Sequence, residues 1–118
     1  MRLTWMLAAI ASIAAVRVHA TDEAIVDLGS SVFHQRCVIC HGAAGDGQSA
    51  LAKLLNPPPA NLRRSTLSDA ERERIVRDGG EKVGRSSNMP SWESELTEQE
   101  LKAVVRYVGT LHTTEDRS

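Results

Sequence analysis

The chain predicts an all-α fold. Three observations carry that expectation: apolar residues recur at helical spacing near the start and the end of the chain, two capping boxes open helices, and no stretch alternates apolar and polar residues as a strand does.

The first 20 residues read as a secretory signal peptide. Arg2 is followed by a mostly apolar run from Leu3 to Val16, and Val18-His19-Ala20 supplies an A-x-A-like cleavage site, with Arg17 as a blemish beside it. The run is shorter than the ~20 apolar residues that span a bilayer, so a retained membrane anchor is the weaker reading. Cleavage leaves residues 21–118 as one small domain. It removes two of the 14 basic side chains, Arg2 and Arg17, and none of the 15 acidic ones, for a net charge of −3. That balance argues against nucleic acid as a partner. Only Phe33, Trp92 and Tyr107 remain as aromatics, a thin supply for a core that a buried flat cofactor would complete.

The first helix is expected from about Glu23 to Cys40, where Ile25, Leu28, Val32 and Phe33 recur at helical spacing. Its C-terminal end carries Cys37-Val38-Ile39-Cys40-His41. C-x-x-C-H is the spacing at which two thiols capture haem vinyl groups and the following histidine reaches the iron. Cys37 and Cys40 are therefore candidate covalent attachment points for one haem c, and His41 is the candidate proximal iron ligand. A thioredoxin-like C-x-x-C would want a βαβ setting, which is missing here. A closed zinc site usually wants four Cys or His ligands, and the chain has two cysteines in all.

Gly42-Ala43-Ala44-Gly45-Asp46-Gly47 then breaks regular structure, either as a plain turn or as a place where backbone passes close to a flat cofactor. Pro57-Pro58-Pro59 must be loop, and its carbonyls are candidate acceptors for the His41 N–H. Ser68 and Glu71 form a capping box for a helix running to about Asp78, with Gly79 placed to end it. Thr97 and Glu100 form a second box, Leu96 and Leu101 a hydrophobic staple, and Leu101, Val104, Val105, Val108 and Leu111 one apolar stripe. That last helix should pack against the first.

Between these two helices lies Asn88-Met89-Pro90-Ser91-Trp92, holding the one methionine that remains after cleavage. Met89 is the candidate distal ligand, its alternative being a core gap-filler. Trp92 is a candidate haem contact. His34 and His112 are rival ligands: His34 sits within one turn of Cys37, which makes the opposite haem face hard to reach, and His112 reads better as a surface residue.

These motifs together resemble the small monohaem class I cytochromes c of the bacterial periplasmic type. The likeness runs from Gly29-Ser30-Ser31-Val32-Phe33 through Cys37-Val38-Ile39-Cys40-His41-Gly42, Pro58-Pro59-Ala60-Asn61-Leu62 and Met89-Pro90 to Tyr107-Val108. It implies a cytochrome c-like fold with crossing terminal helices, Gly29 and Phe33 meeting Val104 and Tyr107. It also implies that a proline carbonyl orients His41, mapping to Pro58 or Pro59. The lysines that line the haem edge in mitochondrial members are not evident.

The implied function is one-electron transfer by an exported, periplasmic carrier of a respiratory chain. Such a carrier is not an enzyme in its own right and meets its redox partners through transient contacts. Alternatives are the dedicated cytochrome subunit of a periplasmic dehydrogenase or reductase, a haem-based ligand sensor or peroxidase, and a non-haem thiol oxidoreductase using Cys37 and Cys40.

Overall fold

A computed structural model describes residues 14, 16 and 19–112, so the expected signal peptide lies almost wholly outside the described residues. Among the described residues there are helices and no strands: α1 (Asp22–Arg36), α2 (Val38–His41), α3 (Asp69–Asp78) and α4 (Glu98–Gly109), with short 3-10 turns at Ala52–Leu54, Leu62–Arg64 and Glu81–Val83.

The helix ends follow local chemistry. Thr21 caps α1 by accepting from the Ala24 N–H at 3.2 Å, and Asp22 and Glu23 complement the positive end of its dipole. Both predicted capping boxes form: Ser68 and Glu71 exchange side-chain and backbone bonds at the start of α3, and Thr97 and Glu100 do so at α4. Gly79 ends α3 as predicted. The expected first helix, by contrast, is two. Cys37, at φ −108°, interrupts it: its N–H still bonds Phe33 at 2.8 Å, while its own carbonyl accepts from Cys40 and His41 at 3.2 and 2.9 Å. The cysteine pair and histidine thus occupy a separate turn.

The core is the crossing of α1 and α4. Phe33 is fully buried, beside Val32, Val104 and Val108, and its ring packs at 5.3 Å from that of Tyr107. Burying a phenylalanine of this kind stabilises by roughly 1.5–3 kcal/mol. Gly29 makes the close approach possible, since a Cβ there would collide with the Ala103 carbonyl oxygen and lie 2.7 Å from Tyr107 Cβ. The helix partner of Gly29 is therefore Ala103 together with Tyr107, a refinement of the expected Val104. Leu101, Val104, Val105 and Val108 are buried as their spacing predicts, while Leu111 is half-buried.

Helix α3 is tied to α4 by a fork. Arg77 donates to both carboxylate oxygens of Glu98 at 2.8 and 2.9 Å and to Glu73 at 2.8 Å. No side chain of α3 is fully buried; its apolar residues Ile75 and Val76 border the cavity that fills the space between the helices.

Candidate functional site

That cavity measures about 690 Å³ and has mostly apolar walls, within the ~300–1,000 Å³ typical of small-molecule and cofactor sites. Cys37, Cys40, His41, Pro59, Met89 and Trp92 all line it, so residues spread over nearly half the chain meet at one place.

The glycine-rich loop positions the histidine. Gly42 takes φ +81°, and a Cβ there would meet the Gln48 carbonyl oxygen at 2.5 Å, so a side chain would be both strained and obstructed. The Gly42 N–H closes α2 on Val38, and the Gly47 N–H returns to the His41 carbonyl at 2.8 Å. Past the prolines, the Leu62 N–H donates to Gly45 at 2.7 Å and lays the 60–62 segment alongside this loop. His41 Nδ1 consequently lies 3.0 Å from the Ala60 carbonyl oxygen.

Ala60, not Pro59, accepts the histidine N–H. The physical reason is register. None of the three prolines has an N–H to fix its place, and the Pro59 carbonyl oxygen lies close against Gly47, 2.9 Å from where a Cβ would sit. Pro59 remains a wall of the cavity.

A carbonyl only accepts, so Nδ1 carries the proton and Nε2 keeps its lone pair. Burial pushes the His41 pKa below its ordinary 6.5, with the Ala60 bond opposing more weakly. The lowered pKa suits an imidazole that binds a metal in its neutral form, and the Ala60 carbonyl holds the far nitrogen as such a ligand requires. Burial, and secondarily the neighbouring Cys40, push the Cys37 thiol up to about 11. That is opposite to the lowered value that makes a C-x-x-C pair a redox nucleophile.

The methionine arrives on a loop pinned at three points. The Met89 carbonyl accepts from Gly80 at 2.9 Å, the Trp92 N–H donates to Val76 at 2.9 Å, and Asn88 Nδ2 reaches the Asn56 and Pro57 carbonyls at 3.3 Å each. Asn88 thus bridges the methionine loop to the proline loop. The sequence carries no sign of this role, since an asparagine two residues before a proline signals only a turn.

Neither rival histidine lines this cavity. His34 is exposed and bonds through Nδ1 to the Ser30 carbonyl at 2.8 Å. His112 is half-buried rather than the expected surface residue: Nδ1 donates to the Arg63 carbonyl at 2.7 Å, and Nε2 accepts from Arg72 at 3.1 Å.

A helical fold whose terminal helices cross at a glycine, and whose C-x-x-C-H turn borders a cofactor-sized apolar cavity, is that of a c-type cytochrome. Its cofactor is haem c and its chemistry haem-based electron transfer. Residues 24–108 match the family described as cytochrome c oxidase, cbb3-type, subunit III, and the chain belongs to that family. Among its relatives is the cbb3-type cytochrome c oxidase subunit CcoP of Azospirillum brasilense, 28% identical over 91 residues. The match covers 77% of this chain and 30% of that subunit. The fold is also similar to a chain of the reducing HAO-like protein complex of Kuenenia stuttgartiensis, with a TM-score of 0.62 at 23% identity, covering 78% of this chain and 44% of that one.

Proposed function

We propose that this chain is a periplasmic electron carrier in which Cys37 and Cys40 hold haem c through thioethers, with His41 as proximal and Met89 as distal iron ligand. The observation that carries this reading is the 3.0 Å bond from His41 to Ala60, which leaves Nε2 as the metal-binding nitrogen of a histidine directly after the cysteine pair. When bound, the haem takes up and releases one electron at its iron.

The residues contribute orientation and electronics. His41 is fixed in tautomer and angle, and Met89 supplies a soft thioether that raises the potential relative to a second histidine. Pro90 restrains the backbone beside Met89, and Trp92 covers part of the cavity wall. Apolar walls keep water from the iron and limit rearrangement between oxidation states. The chain acts as a carrier rather than an enzyme. Residues 1–20 act as a signal peptide and residues 21–118 as the exported domain; no helix among the described residues is long and apolar enough to cross a membrane.

A second reading is that the carrier is the dedicated cytochrome subunit of a larger oxidoreductase, meeting its redox partners within an assembly. It is favoured by the relative that is itself named as an oxidase subunit. Co-purification with a larger subunit from the native source separates it from a free shuttle.

The carrier reading is tested by oxidised and reduced visible spectra, with intact mass, of protein made in a host competent for c-type haem attachment. Covalent haem, a low-spin reduced spectrum and a weak far-red methionine-to-ferric band support it. Carbon monoxide binding to the unmutated reduced protein would point to a sensor or peroxidase with an open sixth position.

A further inference from the structure

Among the described residues, every charged side chain that lines the main cavity is an arginine: Arg36, Arg64, Arg72 and Arg85. The chain as a whole carries more acidic than basic side chains, so this one-sided lining is local. Arg72 is the most unusual of the four. It occupies the same face of α3 as Ile75 and Val76, where helical spacing calls for an apolar residue, and its side chain is only 11% exposed.

Its guanidinium is held from both ends. Nη1 donates to Asp69 Oδ1 at 2.8 Å, and Nη2 donates to His112 Nε2 at 3.1 Å. The His112 ring is itself fixed by its Nδ1 bond to the Arg63 carbonyl at 2.7 Å, which leaves Nε2 free to accept. The third nitrogen, Nε, is buried and has no hydrogen-bond partner. A buried cationic donor without an acceptor is costly, and such groups ordinarily have one. Asp69 cannot supply it, being already engaged through Nη1 and half exposed. A corner formed by Arg64, Ser65, Thr66 and Arg72 borders both the main cavity and a second one beside His112, so a ligand in the main cavity has access to it.

Resting on the haem reading above, we propose that Arg72 anchors a haem propionate through Nε, with Arg64 and the Ser65 and Thr66 hydroxyls completing the anion corner. The chemistry matches in sign and geometry. The haem periphery carries two carboxylates, the cavity offers cations and no competing carboxylate, and a guanidinium edge suits a carboxylate better than an ammonium does. The Asp69 and His112 contacts make Arg72 a pre-oriented donor rather than a mobile surface charge. An uncompensated propionate, or a lost cation, beside the iron stabilises the ferric state, so Arg72 also holds the reduction potential up.

The test uses holoprotein of the full chain carrying Arg72→Gln or Arg72→Lys, compared with the unmutated holoprotein. R72Q is expected to keep covalent haem and its axial spectrum, to lower the reduction potential, and to shift the propionate bending band in resonance Raman spectra. R72K should shift the band while holding the potential nearer the unmutated value. An unchanged band and potential in R72Q would overturn the assignment and leave the Nε partner as a bound water. If R72Q does not accumulate, the band in R72K decides alone, a shift supporting and its absence overturning the proposal. Failure of the haem reading would look different, as an unmutated chain without covalent haem.

Discussion

His41 Nδ1 lies 3.0 Å from the carbonyl oxygen of Ala60, 19 residues further along the chain. This bond assigns the ring tautomer, and its geometry depends on the Leu62 to Gly45 hydrogen bond that sets the register of the intervening loop. On the proposed ligation, His41→Ala should therefore leave Cys37 and Cys40 to hold haem and remove the nitrogen assigned to the iron's proximal side. The expected product carries covalent haem by mass and has lost the low-spin spectrum. An intact low-spin spectrum in this variant would reject the proximal assignment.

Met89 is held to the C-terminal end of α3 through its carbonyl bond to Gly80 and is braced by Asn88 across to the proline loop. Met89→Ala removes the thioether without disturbing either backbone contact. Covalent haem should persist, the far-red band should vanish, the potential should fall, and the reduced protein should bind carbon monoxide. Spectra and potential indistinguishable from the unmutated protein would show that another group occupies the sixth position.

Gly29→Ala tests the helix crossing. The added methyl would meet the Ala103 carbonyl oxygen and lie 2.7 Å from Tyr107 Cβ, so α1 and α4 must separate. Overpacking of this kind costs roughly 1–3 kcal/mol, against a gain of at most about 1 kcal/mol from replacing a mid-helix glycine. The urea midpoint of the holoprotein should drop with little change in slope. A stabilised G29A variant would mean that the crossing is looser than the glycine contact indicates.

The Arg77–Glu98 fork predicts an acid-sensitive link between α3 and α4. Arg77, above all by hydrogen bonding, holds the Glu98 carboxyl below its ordinary 4.5. A depressed carboxylate pKa contributes stability that is present above the ordinary value and lost as pH falls through the depressed one. Glu98→Gln should lower the thermal midpoint slightly at pH 7, slightly because the pair is exposed and screened by solvent. The difference between variant and parent should vanish well below pH 4.5. A difference that persists undiminished in acid would assign the effect to packing or capping instead of charge.

The helix starts were legible because a cap is a local device. Thr97 and Glu100, or Ser68 and Glu71, satisfy backbone N–H groups within one turn of themselves, so four residues contain the whole interaction. The division of the first helix at Cys37 was less legible, since alternative carbonyl acceptors one residue apart leave no mark in the apolar spacing. The wrong acceptor for His41 has a related cause. Three successive prolines cannot donate, so nothing within them reveals register, which is set instead by Leu62 and by the close approach of Pro59 to Gly47.

By itself, then, the amino-acid sequence determined the all-α class, the capped helix starts and the Cys37-Val38-Ile39-Cys40-His41 motif, because each is written in residues at most a few turns apart; the glycine at the helix crossing came from the family resemblance. Only the tertiary structure decided that Ala60 holds the histidine, that Ala103 meets Gly29, that Asn88 braces the methionine loop, and that Arg72 turns its unpartnered Nε inward. Those choices depend on contacts across 19 to 74 residues of chain, where close packing and the satisfaction of buried polar groups select the partner and no local pattern records it.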